Sequence, residues 1–415
     1  MQELAYSNDQ GRTWTKYDGN PVLDIGDPSF RDPKVFWYAP QQKWVMAITL
    51  PEQRLVRFYD STDLVEWDRL AEFGGAGSTA GDWECPDLLQ VPVDGDPDDT
   101  RWVLKVDVKQ GDVVGGSGAQ YFVGDFDGTT FVNANPADQV LWTDYGKDEY
   151  CAHRFYDAPN QFGDPIWIAW MSDWQYAEDL PTYPWKGQMT LARSVALETR
   201  PEGLRLAQQP VASVELLRGT EVTVEGTDLS AVNDRLSADD VSPEVFEIIL
   251  TLRPGAAREA GIRLRLPPDG DAPGPVVATV GYDAASQQMF IDRPAAGNLN
   301  VAPEFPGLHR GPLALRDGQV EIRLFVDRSS IEAFGNQGER PITDLIYPKE
   351  PGQIVEGYAE GGGPELFRVQ YWPLRSVWFP PDTSSPEPPS EVSTALASGA
   401  APAGQGCGPS AAVGR

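Results

Sequence analysis

The stretch Trp83-Glu84-Cys85-Pro86-Asp87-Leu88-Leu89 decides the fold, because it places a carboxylate at the start of an apolar strand. An earlier stretch, Phe30-Arg31-Asp32-Pro33-Lys34-Val35-Phe36-Trp37, has the same order of carboxylate, proline and alternating aromatic strand. Either acid alone is explained equally well as a turn residue before a strand. Two acids at equivalent places in a repeat, Asp32 and Glu84, favour a general-acid site in which the second acid helps.

Composition favours an all-β protein that acts on a neutral substrate. The 415 residues include 41 glycines and 37 prolines, which predict many turns, and 43 aromatic residues in all (13 Trp, 14 Tyr and 16 Phe) for cores and platforms. The formal net charge of -29 repels nucleic acid and anionic membrane surfaces. No apolar run reaches the length of about 18 residues that spans a membrane. We therefore expect neither nucleic acid nor membrane as a partner.

Cysteine and histidine usage argues against a metal centre. The three cysteines, Cys85, Cys151 and Cys407, are too widely spread to predict a disulfide scaffold or a zinc site. His153 and His309 are the two histidines, too few for a histidine-based triad or a metal cluster. We therefore predict a site with no metal and no cofactor.

A turn recurs along the first half of the chain. Each copy combines an aspartate that can bond local backbone with an aromatic anchor, and the copies are Ser7–Trp14, Ser61–Trp67 and, more loosely, Asp127–Phe131. The anchors lie 53 and 64 residues apart, the period of a four-stranded propeller blade. Three complete units follow the tail of an earlier one at residues 3–17. Because the first strand of each blade lines the central channel, we expect Asp32, Glu84 and the region of His153 to converge.

The pattern changes after residue 208. We predict a partial β-propeller over residues 1–208 and a linker, with some helical character, over 209–219. Strands that alternate at period 2 predict a β-sandwich over 220–378. Residues 379–415 are rich in Pro, Ser, Ala and Gly, and we expect a disordered tail there.

Ordered motifs from the first residues to about residue 378 resemble glycoside hydrolase family 32, the invertases, levanases, inulinases and fructan β-fructosidases. The tryptophan-rich segment over 170–190 is most similar to the levanase and inulinase branch. Besides the two stretches quoted above, the matching motifs are Tyr121–Gly128, Asp144–Asp148, Trp170–Tyr176, Pro184–Thr190 and Val326–Phe334.

The resemblance implies a five-bladed β-propeller followed by a β-sandwich, and retaining hydrolysis of β-fructofuranosyl bonds in fructans or sucrose. By motif position, Glu84 is the acid/base, and Asp32 binds fructosyl hydroxyls and stabilises the transition state. Arg31 would hydrogen-bond in the same pocket, and Trp185 would form a wall of the sugar site or pack in the core. Further candidates for the pocket lining are Tyr145, Asp148 and His153.

The sequence departs from the family at the nucleophile, an aspartate in an Asn-Asp-Pro-Asn-Gly-type motif of the first blade. Asn8-Asp9-Gln10-Gly11 has the flanks of the hairpin turn instead. Mapped onto the family, residue 1 falls late in the second blade, so we expect an N-terminally incomplete propeller. The start also shows no basic-then-apolar signal peptide, although full-length members are expected outside the cell.

Three hypotheses remain open on the sequence. The chain belongs to a β-fructosidase whose nucleophile is absent from this sequence, or it is a non-catalytic fructan-binding protein. The third is a different five-bladed glycosidase or a sialidase, in which the Ser7–Trp14 turn also occurs, but a sialidase needs an arginine cluster and a tyrosine nucleophile that this sequence does not display. Either favoured hypothesis has a fructan or sucrose-type carbohydrate as its partner.

Overall fold

The computed structural model describes residues 1–155, 165–238, 244–270, 272–377 and 412–414, and it is an all-β propeller followed by a β-sandwich. A short antiparallel hairpin comes first, formed by β1 (Glu3–Tyr6) and β2 (Thr15–Lys16). The first complete blade is antiparallel and in sequence order: β3 (Arg31–Tyr38), β4 (Lys43–Leu50), β5 (Leu55–Ser61) and β6 (Asp68–Gly74).

Two more four-stranded blades join into one sheet. The second blade contains β7 (Trp83–Val93), β8 (Asp96–Val108), β9 (Gly118–Phe126) and β10 (Phe131–Asn133). The third contains β11 (Tyr150–Arg154), β12 (Ile166–Met171), β13 (Gln188–Met189), β14 (Arg193–Arg200) and β15 (Gly203–Pro210). Its order is β11-β12-β14-β15, with β13 also paired to β12. A parallel contact between Leu197 and Val93 connects the two blades.

The recurring turn has the predicted chemistry in all three copies. In each, an aspartate carboxylate accepts hydrogen bonds from backbone amides two to four residues later, which closes the loop without a long-range partner. The pairs are Asp9 with Thr13, Asp63 with Val65 and Glu66, and Asp127 with Thr129 and Thr130. The indole N–H of Trp14 and of Trp67 donates to a carbonyl three residues earlier.

Aromatic side chains fill the space between the first and second blades. Phe36 and Tyr38 of β3 lie 5.8 and 6.1 Å from Trp102 of β8, and 6.3 and 5.7 Å from Phe126 of β9, measured between ring centroids. The alternation of side chains along β3 and β9 turns these rings to the same side, where they are buried. The packing fixes how the inner strands face the channel.

The sandwich stacks two antiparallel sheets on one apolar core. One sheet has the order β16-β26-β17-β22-β23-β24 and the other β21-β20-β19-β18-β25. The strands are β16 (Val222–Gly226), β17 (Phe246–Arg253), β18 (Glu259–Arg265), β19 (Val276–Asp283), β20 (Gln288–Arg293), β21 (Gly307–Pro312), β22 (Val320–Asp327), β23 (Ser330–Gly335), β24 (Arg340–Leu345), β25 (Ile354–Glu360) and β26 (Leu366–Pro373).

Helical structure is sparse, as the turn-rich composition predicts. One α-helix, α1 (Leu229–Ala238), packs on the sandwich. Short 3-10 helices cover Ala39–Gln41, Pro51–Gln53, Ala177–Asp179 and Ala212–Leu217, the last within the predicted linker. Among the described residues, no helix is long and apolar enough to cross a bilayer.

The predicted disordered tail lies largely outside the described residues. Its described part is a strand, β27 (Ala412–Gly414), which pairs antiparallel with Glu3–Ala5 of β1. Disorder over residues 379–415 stays a prediction, and the strand Ala412–Gly414 adds to the open edge that β1 offers.

Buried charges hold the third blade against the sandwich. Arg193 of β14 donates to Asp144 at 3.0 Å and, across the interface, to Glu332 at 2.7 Å and Thr343 at 2.6 Å. Its side chain is 1 % exposed, so the pairing is desolvated and geometrically specific. The contacts fix the segment that leads into β11.

Two residues predicted as pocket candidates lie at this interface instead. Asp148 is buried and accepts from Arg293 at 2.8 Å, from Tyr176 at 2.7 Å and from the Leu345 amide at 2.8 Å. Tyr145 packs beside the sandwich core, under the Arg340 guanidinium. Their motif therefore braces the sandwich onto the propeller, which a sequence pattern cannot distinguish from pocket lining.

Candidate active site

The inner strands of the three blades share a local distortion at their first residues. One residue near the start of each has a left-handed backbone, the second of β3, the third of β7 and the second of β11: φ is 62° at Asp32, 45° at Cys85 and 57° at Cys151. The ladder of each strand with its neighbour shifts register at the same place, a β-bulge that turns side chains toward the channel. The shifts lie between Arg31 and Lys34, between Glu84 and Asp87, and between Tyr150 and His153.

The residues before each bulge meet in one hydrogen-bonded group. Arg31 donates to Glu84 Oε1 from Nη2 at 2.5 Å and from Nε at 3.1 Å. The Tyr150 hydroxyl donates to the other oxygen, Glu84 Oε2, at 2.6 Å. The Glu84 carboxyl therefore has a donor on each oxygen. We call Arg31, Glu84 and Tyr150 the acid triad.

Electrostatics keep the two donors of the acid triad protonated. Burial raises the pKa of the Tyr150 phenol, and the charges of Asp107 and Glu84 raise it further. Burial opposes the charge of Arg31, but the hydrogen bond and charge of Glu84, with the charge of Asp32, outweigh it and raise the pKa of Arg31. Both groups remain donors throughout the physiological pH range.

Asp32 lies beside the acid triad. Its Oδ2 accepts a hydrogen bond from the Cys85 amide at 3.2 Å and lies 3.7 Å from Arg31 Nε. Its side chain is partly exposed, whereas that of Glu84 is largely buried. The two acids named from the sequence thus share Arg31, and the structure brings together three of the four predicted site residues.

A second group of charges lies two residues beyond the bulges. Lys34 Nζ is 3.2 Å from the Asp87 carboxylate, which also accepts from the Arg154 amide at 2.7 Å. His153 Nδ1 is 3.8 Å from the same carboxylate. Burial, aided by the charge of Lys105, lowers the pKa of His153 to about 4, so the imidazole is neutral near pH 7. His153 thus lies beside Asp87, in the same group of charges as Lys34.

The structure joins Cys85 and Cys151 in a disulfide, which the cysteine spacing did not lead us to expect. Although 66 residues separate them along the chain, they occupy equivalent bulge positions in neighbouring blades, and their Cα atoms lie 5.3 Å apart. Cysteine spacing could not show this, because the contact depends on how the blades stack. His153 Nε2 lies 3.7 Å from Cys151 Sγ, but the bonded sulfurs offer no thiolate to a metal.

Sequence reasoning missed a buried ion pair behind the acid triad. Lys105 and Asp107 are fully buried and bond each other, and Asp107 pairs with Glu84 in the β7–β8 ladder. Asp107 Oδ1 accepts from the Cys151 amide at 2.7 Å. Burial raises the pKa of Asp107 to about 6, against the opposing charge of Lys105. The sequence does hold a signal for this pair, because the two charged residues Lys105 and Asp107 stand inside the otherwise apolar run Val103–Val108.

Tryptophans form a wall next to Tyr150. The rings of Trp170 and Trp174 are 5.1 Å apart and lie 6.2 and 6.4 Å from the Tyr150 ring. Trp185, the fourth predicted site residue, is 60 % exposed in the segment between β12 and β13. Gly187 approaches Trp170 so closely that a Cβ there would lie 2.4 Å from the indole nitrogen, which brings the Trp185 segment beside this wall.

The arrangement suits proton transfer to a bound sugar. Glu84 is a carboxyl with a cationic donor on one oxygen and a neutral donor on the other, and Asp32 is a second carboxylate beside it. Exposed tryptophan faces next to such carboxyls can stack on the apolar face of a sugar ring. A carboxyl able to donate a proton is one of the two carboxyl roles that a glycosidase requires.

Comparisons with known proteins agree with this architecture. Residues 1–210 match the family described as "Glycosyl hydrolases family 32 N-terminal domain", and residues 213–373 match "Glycosyl hydrolases family 32 C terminal". A levanase of Bacillus subtilis (strain 168) is 44 % identical over 383 residues, 91 % of this chain and 55 % of the levanase. An extracellular exo-inulinase of Aspergillus awamori is 34 % identical over 393 residues, 91 % of this chain and 72 % of that protein.

A solved structure supports the same assignment. The crystal structure of exo-inulinase from Aspergillus awamori superposes with a TM-score of 0.79 at 33 % identity, covering 90 % of this chain and 74 % of that one. This chain spans about half the length of the Bacillus levanase. Matched by the family over both its propeller and its sandwich, the chain belongs to glycosyl hydrolases family 32.

Proposed function

We propose that this chain carries the acid/base half of a retaining glycosidase that hydrolyses β-fructofuranosyl bonds in fructans or sucrose. The observation that carries the proposal is the acid triad, with Asp32 beside it. Levanase and exo-inulinase relatives support the same substrate class.

Glu84 donates its proton to the glycosidic oxygen as the bond to the fructosyl unit breaks. Arg31 and Tyr150 both donate hydrogen bonds to its oxygens, so they favour the carboxylate that remains after the proton has left. In the second half of the reaction the same carboxylate takes a proton from the attacking water. The triad thus stabilises the charge that develops on the acid during catalysis.

Asp32 acts on the fructosyl unit. We propose that Asp32, a second negative group beside Arg31 at the bulge of β3, lies near the oxocarbenium-like centre of the transition state. We assign it hydrogen bonding to fructosyl hydroxyls and stabilisation of that positive charge. Trp185, with Trp170 and Trp174, would provide the wall against which the sugar stacks.

The covalent step of a retaining reaction needs a further carboxylate as nucleophile. Asp9 does not suit this role, because its carboxylate already accepts from the amide of Thr13 at 2.9 Å and from its hydroxyl at 2.7 Å. We infer that the nucleophile is absent from these 415 residues. A non-catalytic fructan-binding protein is therefore the second candidate function.

The Cys85–Cys151 disulfide supports an oxidising location, because such bonds are rare in the cytosol. We propose that the protein acts outside the cytosol. The exo-inulinase relative from Aspergillus awamori is itself named as extracellular. The net charge of -29 suits a neutral polysaccharide as substrate.

Hydrolysis and binding together test the proposal. We expect fructo-oligosaccharide binding by calorimetry from this chain. We expect release of fructose with retained configuration by NMR from a fusion in which a levanase segment supplies the nucleophile; binding without turnover in that fusion would support the second candidate. Glu84→Gln should lower kcat for a natural fructan by about 10²–10⁴-fold, and less for an activated fructoside whose leaving group needs little protonation. Asp32→Asn should reduce both rates alike. Absence of both binding and turnover in the folded parent would overturn the proposal.

A further inference from the structure

We propose that the Cys85–Cys151 disulfide is a positioning device for the general acid, holding Glu84 and Tyr150 at hydrogen-bonding distance across two blades. The inference rests on the proposed role of Glu84 as the acid. It assigns to the disulfide a part in the proton-transfer step, beyond cross-linking of the fold.

The disulfide lies directly beside the hydrogen bond that it would control. Cys85 follows Glu84 in β7, and Cys151 follows Tyr150 in β11. The Tyr150–Glu84 hydrogen bond, 2.6 Å long, and the sulfur–sulfur bond are therefore successive links between the same two strands. Any change in the distance between these strands must alter both links.

The sheet itself holds these strands together only indirectly. In the order of the joined sheet, β14 and β12 lie between β7 and β11. Within the described part of the chain, no backbone ladder pairs β7 with β11. The Arg154 amide does reach Asp87, at 2.7 Å, but it lies beyond the bulge, away from the acid. At the level of Glu84, β7 and β11 are therefore joined by side chains and not by a backbone ladder.

Both half-cystines also orient other carboxylates of the site. The amide of Cys85 donates to Asp32 Oδ2 at 3.2 Å, and the amide of Cys151 donates to Asp107 Oδ1 at 2.7 Å. Both residues have left-handed backbones, which a residue with a Cβ keeps only where its surroundings hold it. Breaking the cross-link frees these two positions to relax, and Glu84 and Asp32 would move with them.

A purely stabilising disulfide would behave differently from a positioning one. A disulfide that only stabilises the fold (a staple) acts by constraining the unfolded chain. Its removal lowers the melting temperature but leaves the relative rates on substrates with different leaving groups unchanged. A positioning device changes proton donation in particular, so its loss must resemble a milder form of Glu84→Gln.

The first measurement is the thiol count of the purified, denatured chain. Of its three cysteines, one should react before reduction and all three afterwards. Three reactive thiols in the unreduced chain would overturn the proposal.

Kinetics of Cys85→Ala/Cys151→Ala, measured in the fusion that supplies the nucleophile, then test positioning. Below its melting temperature we expect kcat for a natural fructan to fall about tenfold or more, with KM little changed, because small displacements of a catalytic group are costly. The activated fructoside should lose much less. Cys407→Ala is the matched control and should leave both rates unchanged. Equal losses on the two substrates would show a staple only.

A double-mutant cycle with Tyr150→Phe locates the effect. If the disulfide acts through the Tyr150–Glu84 hydrogen bond, adding Tyr150→Phe to the double alanine variant should reduce kcat little further. Losses that multiply would contradict the inference. Should the alanine variant fail to fold, folded parent is treated with dithiothreitol, which gives two electrons and two protons to the cystine and becomes a cyclic disulfide. Alkylation of the two freed thiols then prevents the disulfide from re-forming, and the same kinetic assay is repeated.

A crystal structure separates this inference from the proposed function. In the double alanine variant the Tyr150 hydroxyl should lie more than about 3.5 Å from Glu84, beyond hydrogen-bonding range. An unchanged bond would refute positioning, whatever the activity. A lengthened bond with an inactive fusion would instead refute the proposed hydrolysis and leave the positioning intact.

Discussion

Replacing Arg193 by methionine should be the most damaging single change at the interface between propeller and sandwich. Its guanidinium donates to Asp144 at 3.0 Å, Gln208 at 3.1 Å, Glu332 at 2.7 Å and Thr343 at 2.6 Å. Methionine fills much of the same volume but leaves two buried carboxylates without their cation. Burial already raises the pKa of Glu332 against the opposing charge of Arg193.

Breaking a buried ion pair by removing one partner costs about 3–5 kcal/mol. Because Arg193 neutralises two acids, we expect the upper part of that range, equivalent to a fall in Tm of roughly 5 °C for a chain of this length. Urea unfolding followed by tryptophan fluorescence, with calorimetry as a second probe, measures the loss.

Arg316→Met is the matched control. Arg316 is 47 % exposed and pairs with Glu339 at 2.9 Å, so its loss should cost less than about 1 kcal/mol. Adding Glu332→Gln to Arg193→Met should recover part of the loss, because one unpaired charge disappears. If Arg193→Met unfolds within about 1 kcal/mol of the parent, the buried network contributes little net stability and the reasoning fails.

Three further predictions concern neighbouring features. Burial raises the pKa of the Glu149 carboxyl from 4.5 to about 7, so the folded state binds this proton more tightly than the unfolded state, and the free energy of unfolding should fall as pH rises across that window. Glu149→Gln should flatten the dependence of this free energy on pH in urea titrations, and an unchanged slope would contradict the assignment. Gly146→Ala should destabilise, because its Cβ would lie 2.1 Å from the carbonyl oxygen of Thr343, whereas Gly363→Ala, in open space, should leave Tm unchanged; equal Tm values would refute the close approach. Trp174→Ala should raise KM for fructo-oligosaccharides with little change in Tm, since this side chain is 47 % exposed; an unchanged KM would remove Trp174 from the sugar wall.

Local chemistry made the blades predictable from the sequence. A turn aspartate bonds amides two to four residues away, and a strand alternates at period 2, so both signals lie within a few residues. The repeat of these signals predicted where inner strands begin, and hence that Asp32 and Glu84 would face one channel. The confirmed family and fold rest on the same local motifs, since each motif is a continuous stretch.

The hydrogen-bond partners of Asp32 and Glu84 could not be predicted from local sequence patterns in the same way. Tyr150 holds Glu84 although 66 residues separate them, and Asp107 supports the site from an adjacent strand. Tyr145 and Asp148 belong to a matching motif and yet brace the sandwich.

The sequence by itself determined the strands, the turns and the level at which each inner strand carries its polar residue, because these follow from backbone periodicity and short-range hydrogen bonds. Only the tertiary structure decided that Cys85 and Cys151 are bonded, and that Arg193 is shared between propeller and sandwich. Such contacts depend on how separate blades and sheets pack, and a pattern within one strand holds no information about the strand that will face it.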